Sequence, residues 1–511
     1  MFSAGKPYKI ITAAAPNAKE SICLSRSDTL MQMAVFSETS KLHDIKFGTD
    51  GWRALIAKEF TYANLEIFSH GLAQYINANY DKGLPLIIGH DARFLADKFA
   101  KFTAEIITSY GIDVHMIDHP VPTPVIAYEA FKKPSCGALT FTASHNPPEY
   151  MGIKYIPEYG GPSSKEITEK LLEQINLAAE KKGNWNPGNN KASITIVDPA
   201  PDYFKHIKTL VDFDAIKKAN AEKQTKLVYD PLYGCGRNYT NKILEEAGFA
   251  VTTLHDEADP TFGGSLPDPS EKRLGELKAK LLESKADLGA ANDGDADRFS
   301  FFDNEGNFYP ANKSLTIIAK YLIEKRGFKG TIARTLATTH LFDALAAKTG
   351  NDCKETAVGF KWICDVMRNQ DTIIGAEESG GMSILGHIPE KDGILAILLL
   401  SEVLAITKKT PQELWQEVQD FVGKEFFYDR LDLHIEDKAG FMAKFNDESL
   451  KEIAGFKVTK IDRTEGAKVY LENGSWFLAR PSGTEAMCRV YFEGNNSTEL
   501  AKAVDAVKSM I

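Results

Sequence analysis

The chain has 511 residues, more than one hydrophobic core usually organises, so we expect three or four domains. Hydrophobic residues make up 43% and charged residues 25%, which is ordinary for a soluble globular protein. The formal net charge of −10 argues against a general nucleic-acid binder, which normally presents a basic face. A local cationic pocket for a phosphorylated metabolite stays open, because net charge does not describe a single cleft.

Cysteine spacing and hydropathy narrow the class of protein further. The six cysteines are scattered without a Cys-x-x-Cys pair, which excludes a zinc ribbon and a disulfide framework and indicates a reducing compartment. No apolar run reaches the ~18 residues of a membrane span, so we expect no membrane partner. Over residues 1–40 we expect a disordered N-terminal extension rather than a signal peptide, and a transit peptide stays open.

From about residue 45, short apolar runs alternate with amphipathic stretches, which predicts α/β units. In the first unit we predict strands at 84–89, 114–117 and 136–141, and helices at 97–110 and 164–181. A polar, turn-rich break at 181–190 marks the end of this unit.

Three more units follow. The second begins with a strand at 226–229 and ends after a strand at 286–291, and the third contains a strand at 372–374 and a buried helix around 395–400. The fourth contains a hairpin, with strands 469–471 and 476–478, and closes with a helix over 497–510. We place the four domains at 41–198, 199–307, 308–411 and 412–511, three of them α/β and the last a smaller α+β domain.

The segment 293–298 reads Asp-Gly-Asp-Ala-Asp-Arg and directly follows an apolar strand. Its three alternate carboxylates can converge on one hard cation, and Mg²⁺ takes oxygen ligands while keeping positions open for water or a phosphate oxygen. A calcium EF-hand loop would need Gly at its sixth position and Glu at its twelfth, where this chain has Arg298 and Asn304. The segment predicts a magnesium site, with a solvated acidic turn as the alternative.

The segment 142–148 reads Thr-Ala-Ser-His-Asn-Pro-Pro. Its prolines forbid an immediate helix, so Ser144 is held at the end of a strand, the usual location of ligand chemistry in an open α/β sheet. A serine nucleophile needs a base or a metal for activation, and His145 and Lys154 are local candidates for proton handling or charge stabilisation. No Gly-x-Ser-x-Gly surrounds Ser144, which excludes the acyl-transfer elbow. Taken alone, the segment is a turn more often than a catalytic site.

The segment 480–485 reads Arg-Pro-Ser-Gly-Thr-Glu and lies between two predicted strands. Arg480, the two hydroxyls and the backbone N–H groups near Gly483 suit a phosphate dianion, and Arg489 could add a further charge. An ordinary polar turn is an equal alternative.

Other segments are ambiguous alone. Residues 376–381 read Ala-Glu-Glu-Ser-Gly-Gly, whose carboxylates and hydroxyl fit sugar hydroxyls and a solvent-facing turn equally well. Residues 47–53 form a Gly-rich turn with one arginine, Arg53. The pair Gly234 and Gly236 lacks the third glycine of a dinucleotide fingerprint, and the sequence contains no nucleotide P-loop motif.

Together these segments resemble the α-D-phosphohexomutase family, which includes phosphoglucomutases and phosphomannomutases. Four motifs match in the family's order from Phe47 to Arg489, which is most of the chain. The resemblance implies three similar mixed-sheet α/β domains and a smaller C-terminal α+β domain around a central cleft, each contributing one loop. It also implies Mg²⁺ as cofactor and glucose 1,6-bisphosphate as activator.

The resemblance assigns roles to individual residues. Ser144 would be the phosphoserine and a metal ligand, and the other metal ligands would be Asp293, Asp295 and Asp297. The catalytic group would also include His145, Lys154 (the family's proposed general base), Arg53 and Arg298. The substrate would be held by Lys361, Glu377, Ser379, Arg480, Ser482, Gly483, Thr484 and Arg489. Met151 and Ala376 depart from the family pattern, where Asn and Gly are frequent, but neither departure removes a reacting group.

We expect interconversion of α-D-glucose 1-phosphate and glucose 6-phosphate through a phosphoserine enzyme and a glucose 1,6-bisphosphate intermediate. Residues 377–379 and 359–362 look like phosphoglucomutase loops, and Glu378 stands where phosphoglucosamine mutases usually carry Gln. Three alternatives stay open: a phosphomannomutase or dual-specificity hexose mutase, a glucose 1,6-bisphosphate synthase, and a catalytically silent sugar-phosphate sensor. We expect a cytoplasmic monomer or dimer whose partners are small-molecule sugar phosphates.

Overall fold

Four β-sheets follow one another along the part of the chain that this computed structural model describes, which is residues 45–48, 50–188, 192–446, 450–481 and 487–511. These residues lie in one contiguous unit, His43–Ile511. The extension expected over residues 1–40 lies outside the described residues. We call each sheet with its helices a domain, numbered 1 to 4 in chain order.

Domain 1 has a seven-stranded sheet. Its strands are β1 (Phe47–Gly48), β2 (Gly51–Leu55), β3 (Leu86–His90), β4 (Val114–Pro120), β5 (Ala138–Phe141), β6 (Tyr150–Ile156) and β7 (Ile194–Ile196). Its helices are α1 (Tyr62–Asn79), α2 (Ala96–Ser109), α3 (Thr123–Lys132) and α4 (Lys165–Glu180). The strand order is β1-β2-β6-β5-β3-β4-β7, and the sheet is mixed because β2, β5 and β6 pair antiparallel while β3 pairs in parallel with β4 and β5.

The central strand β3 shows why this sheet lies between two layers of helices. All five of its residues are buried. Leu86 and Ile88 pack into one hydrophobic cluster and Ile87 into another, as expected for side chains that alternate between the two faces of a strand. A strand covered on both faces is a continuous apolar run, which is the signal that predicted it from the sequence.

Domain 2 has a five-stranded mixed sheet. Its strands are β8 (Lys226–Asp230), β9 (Ala250–Thr253), β10 (Leu288–Asn292), β11 (Phe299–Asp303) and β12 (Phe308–Tyr309). Its helices are α5 (Ala200–Leu210), α6 (Phe213–Glu222), α7 (Thr240–Glu246) and α8 (Gly275–Ser284), with 3₁₀ turns at Phe262–Gly264 and Glu271–Arg273. The order is β12-β11-β10-β8-β9, in which β10 pairs in parallel with β8 and antiparallel with β11.

Domain 3 has a four-stranded mixed sheet in the order β14-β13-β15-β16. These strands are β13 (Thr331–Thr335), β14 (Asp352–Thr356), β15 (Thr372–Ala376) and β16 (Met382–Ile384). The helices are α9 (Ala311–Glu324), α10 (Leu341–Thr349), α11 (Phe360–Asn369), α12 (Gly393–Thr407) and α13 (Pro411–Val422). Helix α12 is buried on all sides and packs against elements of domains 2 and 3, which explains why it is apolar around its whole circumference.

Domain 4 has a six-stranded antiparallel sheet. The strands are β17 (Phe427–His434), β18 (Glu452–Ile453), β19 (Phe456–Asp462), β20 (Ala467–Leu471), β21 (Trp476–Pro481) and β22 (Met487–Gly494), and the helices are α14 (Lys438–Asn446) and α15 (Ser497–Lys508). The order is β17-β22-β21-β20-β19-β18, and this domain has a hydrophobic core of its own. The expected fold class, three similar α/β domains and a smaller C-terminal domain, is confirmed.

Among the described residues, no helix combines the length and the apolar character that crossing a bilayer would require.

Candidate active site

Ser144 lies in the connection between the antiparallel strands β5 and β6 and is 1% exposed. Its backbone has a φ of +51°, in the left-handed region that a residue with a Cβ adopts only at a cost. Its Oγ donates to Asp293 Oδ2 at 3.0 Å and lies 3.2 Å from His145 Nδ1. The serine of domain 1 therefore meets the acidic loop of domain 2 directly.

The acidic loop connects β10 to β11, and all three of its aspartates are buried. Each of the three contributes one carboxylate oxygen to a group whose members all lie within 4.8 Å of one another. Asp295 Oδ1 and Asp297 Oδ1 are buried without a hydrogen-bond partner among the described residues, which normally costs about 1–3 kcal/mol per group. Burial, and then the charges of Asp297 and Asp295, raise the pKa of Asp293 well above its ordinary value.

These features fit a hard divalent cation. Partnerless buried carboxylate oxygens and a hydroxyl beside them form an all-oxygen ligand set, which Mg²⁺ prefers. A cation bound by the three aspartates would also remove the mutual repulsion that raises the pKa of Asp293. The residues predicted to hold Mg²⁺ are therefore placed together in a form that could bind it.

Lys154, on β6, is the main positive charge beside this loop. Its Nζ donates to Asp295 Oδ2 and Asp297 Oδ2, both at 2.9 Å, and lies 3.1 Å from Asp50 Oδ2. Burial alone would lower the pKa of this 3%-exposed lysine, but Asp295, Asp297 and Asp50 together raise it above its usual value. Lys154 is therefore held as an ammonium by carboxylates from two domains.

A second lysine, Lys391, shares two of these carboxylates. Its Nζ lies 3.2 Å from Asp297 Oδ2 and 3.3 Å from Asp50 Oδ2, so each of these oxygens bridges two ammonium groups. Asp50 is brought to this position by Gly51, whose φ is +90° and where a Cβ would lie 2.3 Å from the Ile153 carbonyl oxygen. Domains 1, 2 and 3 thus contribute to one charge network.

The arginines and the histidine predicted for the reacting end lie around Ser144. Arg53, on β2, donates from Nη1 to Asn146 Oδ1 at 2.9 Å, two residues beyond the serine. Arg298 donates its backbone N–H to Asp293 Oδ1 at 3.1 Å, and its Nε lies 3.8 Å from Asp297 Oδ1. Burial, followed by Arg298 and Arg53, lowers the pKa of His145 well below its ordinary value, so this imidazole is neutral.

The predicted sugar loop of domain 3 is joined to the acidic loop of domain 2. Arg298 and Gly381 form an isolated antiparallel β-bridge. Glu377 is 7% exposed, and burial raises its pKa to about 7. Ser379 is half-buried in the same turn. A Cβ on Gly381 would lie 2.5 Å from Lys391 Cδ, so the glycine leaves the space through which Lys391 reaches the network.

Arg480 and Arg489, which flank the predicted phosphate loop, lie in domain 4, and Arg480 is close to the contact with domain 3. Arg480 on β21 stands directly opposite Arg489 on β22, a pairing of like charges that favours an anion nearby. Glu465 Oε2 accepts the Val358 N–H at 2.9 Å and lies 3.6 Å from Arg480 Nε. Three other members of the predicted phosphate loop, Ser482, Gly483 and Thr484, lie outside the described residues.

Lys361, in the first turn of α11, lines a cavity of about 170 Å³ together with Asp50 and Lys154. Arg489 of domain 4 is among the cations that lower the pKa of His145 in domain 1. Lys361 of domain 3 therefore lies beside the charge network, and the charge of Arg489 of domain 4 acts on the histidine next to the serine.

Comparison with known proteins agrees with this arrangement. Models of the phosphoglucomutase/phosphomannomutase α/β/α domains I, II and III match residues 44–182, 201–306 and 310–421, and the C-terminal domain model matches 436–509. Phosphoglucomutase 2 of Saccharomyces cerevisiae is 30% identical, with 89% of this chain and 91% of the relative covered. The chain belongs to the α-D-phosphohexomutase family. Members of this family are isomerases that act as intramolecular phosphotransferases.

This phosphohexomutase is also 28% identical to phosphoglucosamine mutase of Caldicellulosiruptor bescii, with 91% of this chain and 98% of the relative covered. The crystal structure of Paramecium pp63/parafusin, a phosphoglucomutase in an open form, matches with a TM-score of 0.77 and 25% identity over 91% of this chain and 94% of that one. Relatives at similar identity are named for different sugars, so membership establishes a hexose-phosphate mutase without naming its sugar.

Sequence reasoning missed several residues of this phosphohexomutase's site. Asp50 stands in the turn before Arg53, and Lys391 stands between Glu390 and the Asp392 that caps α12. The available signals were a carboxylate beside a predicted arginine and a run of three charges before a mostly apolar helix. Arg93, three residues beyond the end of β3, was also missed, although the carboxyl end of a parallel strand is where functional residues concentrate.

The arrangement can stabilise a transferring phosphoryl group. Hydroxyl, carboxylate and cationic groups from domains 1 to 3 converge within hydrogen-bond distance of one another, and they are shielded from water. Charges in such a buried site act more strongly than they would in water. The two residues that depart from the family pattern, Met151 and Ala376, are fully buried in β6 and β15.

Proposed function

We propose that this phosphohexomutase is a phosphoglucomutase that interconverts α-D-glucose 1-phosphate and glucose 6-phosphate through phosphorylated Ser144. The observation that carries the proposal is the 3.0 Å contact between Ser144 Oγ and Asp293, at the edge of the three-aspartate cluster. The preference for glucose is supported by the Glu377–Glu378–Ser379 loop and by the yeast relative, which is named a phosphoglucomutase.

The proposed reaction has two phosphoryl transfers. A sugar hydroxyl attacks the phosphorus on Ser144, a new P–O bond to the sugar forms, and the P–O bond to Ser144 breaks. The hydroxyl proton passes to a base in the site, and the serine oxygen recovers a proton. The resulting glucose 1,6-bisphosphate turns end for end and returns its other phosphoryl group to Ser144.

Mg²⁺ held by Asp293, Asp295 and Asp297 beside Ser144 would supply positive charge to the phosphoryl oxygens. Arg298 and Arg53 are proposed to add to that charge from the protein, because phosphoryl transfer depends mainly on positioning and on neutralising the equatorial oxygens. Exclusion of water from this buried site would also protect the phosphoryl group from hydrolysis.

Lys154 and His145 are the proposed proton carriers. Lys154 is an ammonium while Asp295, Asp297 and Asp50 surround it and raise its pKa, so its proposed proton transfer requires a bound cation to offset the charge of these carboxylates and lower that pKa. His145 is neutral and its Nδ1 lies 3.2 Å from Ser144 Oγ, so it is within hydrogen-bond reach of the serine, but its lowered pKa makes it a weak base. A positioned proton carrier typically contributes about 10²–10⁴ in rate.

Glucose 1,6-bisphosphate is proposed as the activator because it can phosphorylate a dephosphorylated Ser144. A cytoplasmic location is proposed as well, since the five described cysteines are all free thiols.

The deciding experiment is intact-mass spectrometry with peptide mapping before and after incubation with glucose 1,6-bisphosphate and Mg²⁺. We expect one phosphoryl group, on Ser144. Ser144→Ala should lose the label and the mutase activity while keeping its fold, and Ser109→Ala, on α2, is the matched control. Label elsewhere, or Ser144→Ala activity within tenfold of the wild type, would refute the role of Ser144.

The sugar is tested by a coupled assay with the 1-phosphates of glucose, mannose and glucosamine. We expect the highest kcat/KM for glucose 1-phosphate. A faster reaction with mannose or glucosamine would overturn the preference while leaving the serine chemistry intact.

A further inference from the structure

Arg93, in the loop after β3, is 3% exposed and uses its whole guanidinium group behind the serine loop. A guanidinium carries five N–H groups. Its Nε donates to Asp91 Oδ2 at 3.2 Å, Nη1 to the carbonyl oxygens of Pro147 and Tyr150 at 2.7 and 3.1 Å, and Nη2 to those of Ser144 and Asn146 at 2.6 and 2.7 Å. Four of the five acceptors are therefore backbone carbonyls between residues 144 and 150.

We propose that Arg93 is a positioning residue for phosphoryl transfer, which holds the Ser144 loop in the shape that aims the serine oxygen at the three-aspartate cluster. The proposal rests on the proposed role of Ser144. Arg93 acts through the backbone and not on the reacting atoms, since its five hydrogen bonds go to the loop and to Asp91.

The loop needs such a restraint because Ser144 is in an unfavourable backbone conformation. A non-glycine residue at φ +51° costs about 1–2 kcal/mol and persists only where its surroundings impose it. Arg93 holds the carbonyl of this residue, and the Thr142 hydroxyl accepts its N–H at 2.8 Å. The Thr142 hydroxyl in turn bonds to Asp91, the carboxylate that also accepts the Arg93 Nε and N–H groups. Both peptide groups of Ser144 are thus tied to one Asp91–Arg93 pair.

The Arg93 side chain and the serine loop that it holds also contact domain 2. The Arg93 guanidinium lies 5.0 Å from the centre of the Phe262 ring, which belongs to a 3₁₀ turn of that domain. A Cβ on Gly294 would lie 2.8 Å from the Ser144 carbonyl oxygen, so the acidic loop passes directly against the clamped group. Arg93 therefore sets the serine loop relative to the domain that carries the aspartates.

A purely structural arginine would contribute to stability but not selectively to catalysis. Lysine offers only three donors, and these are not in a planar fork, so Arg93→Lys keeps the charge and loses most of the carbonyl contacts. A displacement of about 1 Å in a reacting group can cost about 10²-fold in rate. The substrate's distal phosphate and sugar contacts come from domains 3 and 4 and should be little affected.

The test compares Arg93→Lys with the wild type in single-turnover phosphorylation of Ser144 by glucose 1,6-bisphosphate, together with steady-state kinetics. We expect the phosphorylation rate and kcat to fall about 10²-fold, with KM changed less than threefold and the thermal midpoint still above assay temperature. Arg326→Lys is the matched control, because Arg326 also donates to a carbonyl, that of Leu210, and to a carboxylate, that of Glu402, away from Ser144. The control should leave kcat within twofold.

Two further measurements keep the inference testable if Arg93→Lys does not fold. Asp91→Asn retains the guanidinium and weakens the bonds that orient it and the Thr142 hydroxyl. It should lower kcat while leaving KM little changed, but by a smaller factor than Arg93→Lys. In Arg93→Ala, added ethylguanidinium should restore part of the phosphorylation rate. A kcat within threefold of the wild type in folded Arg93→Lys, or equal losses in kcat and 1/KM, would overturn the proposal. Wild type that acquires no label on Ser144 would instead refute the proposed function.

Discussion

At the scale of single residues, Lys154 is the positive charge that stabilises the buried aspartates of the acidic loop when no cation is bound. Three aspartates surround it, and a buried carboxylate that loses its partner is costly. Lys391 still pairs with Asp50 and Asp297 if Lys154 is removed, but within the described part of the chain the Asp295 carboxylate would keep only the hydrogen bond from the Thr123 hydroxyl, at 2.7 Å.

We therefore expect Lys154→Met to lower the free energy of unfolding by about 3 kcal/mol in the absence of divalent cations. Mg²⁺ should raise its thermal midpoint by more than it raises that of the wild type, because the cation would replace the lost positive charge. Thermal unfolding with and without Mg²⁺ measures both effects. Lys165→Met, at an exposed i,i+4 pair, is the control and should change little. An equal Mg²⁺ response in Lys154→Met and the wild type would contradict the prediction.

Glu377 is a second residue whose burial should have a measurable effect on the free energy of unfolding. Because burial raises its pKa to about 7, the folded protein retains a proton that the unfolded chain has released above about pH 5. The wild type therefore loses stability from this group as pH rises from 5 to 7, and the full loss is present at pH 8.

Glu377→Gln does not titrate, so it should gain about 2 kcal/mol in unfolding free energy relative to the wild type between pH 5 and pH 8. Urea unfolding at the two pH values measures the difference, with Glu245→Gln, an exposed glutamate on α7, as the control. We expect mutase activity to fall in the same variant, because an amide replaces the carboxylate proposed to hold the sugar hydroxyls. A stability difference independent of pH would count against a buried, protonated Glu377.

At the scale of structural elements, the turn between β15 and β16 leaves room for the side chain of a residue that stands just before α12. Gly381 pairs with Arg298 and leaves room for the Lys391 side chain, which reaches Asp297 and Asp50 through that space. A single methyl group at 381 would therefore act on a charge network contributed by three domains.

For Gly381→Ala we expect kcat to fall roughly 10–10²-fold with the fold retained, because the new Cβ would meet Lys391 Cδ at 2.5 Å and displace it. Steady-state kinetics and circular dichroism together measure the outcome. Gly275→Ala, at the start of α8, is the matched control because its Cβ would meet no atom within 4 Å. Activity in Gly381→Ala equal to that of the control would show that Lys391 adjusts without consequence.

At the scale of the whole molecule, α12 and its surroundings join domains 2 and 3, whereas domain 4 contacts domain 3 through a separate hydrophobic cluster and polar contacts beside it. One hydrophobic cluster spans residues of domains 1, 2 and 3, but domain 4 has a separate core. The contact between domains 3 and 4 includes Leu336 and Trp476, the buried Lys468, and the hydrogen bond from Val358 to Glu465. Glu465 therefore links the position of domain 4 to the arginine proposed to bind phosphate.

Glu465→Gln should tighten inhibition by orthophosphate about threefold, because the amide can keep the Val358 hydrogen bond while its carboxylate charge no longer competes for Arg480. The inhibition constant against the sugar phosphate is the measurement. Glu472→Gln, which also removes a carboxylate that accepts a backbone N–H, that of Lys457 at 3.0 Å, is the control. Weaker inhibition in Glu465→Gln would mean that the glutamate supports the phosphate site.

The sequence by itself determined the fold class and the chemical character of the loops. The apolar strands and amphipathic helices are short-range patterns, so β3, α2, α4 and the β20–β21 hairpin appear close to where they were predicted. The three aspartates are two residues apart, and the serine follows a strand, so their chemistry could also be recognised locally.

Only the tertiary structure decided how these loops are completed and held. Lys391 meets Asp50 across 341 residues of sequence, Lys154 meets Asp295 across 141, and Arg93 clamps carbonyls more than 50 residues away. Such partners leave no periodic or neighbouring signal, because an ion pair or a carbonyl contact depends on distance in space. The local pattern therefore predicted the groups that are proposed to react, and packing between domains brought together the residues that contact them.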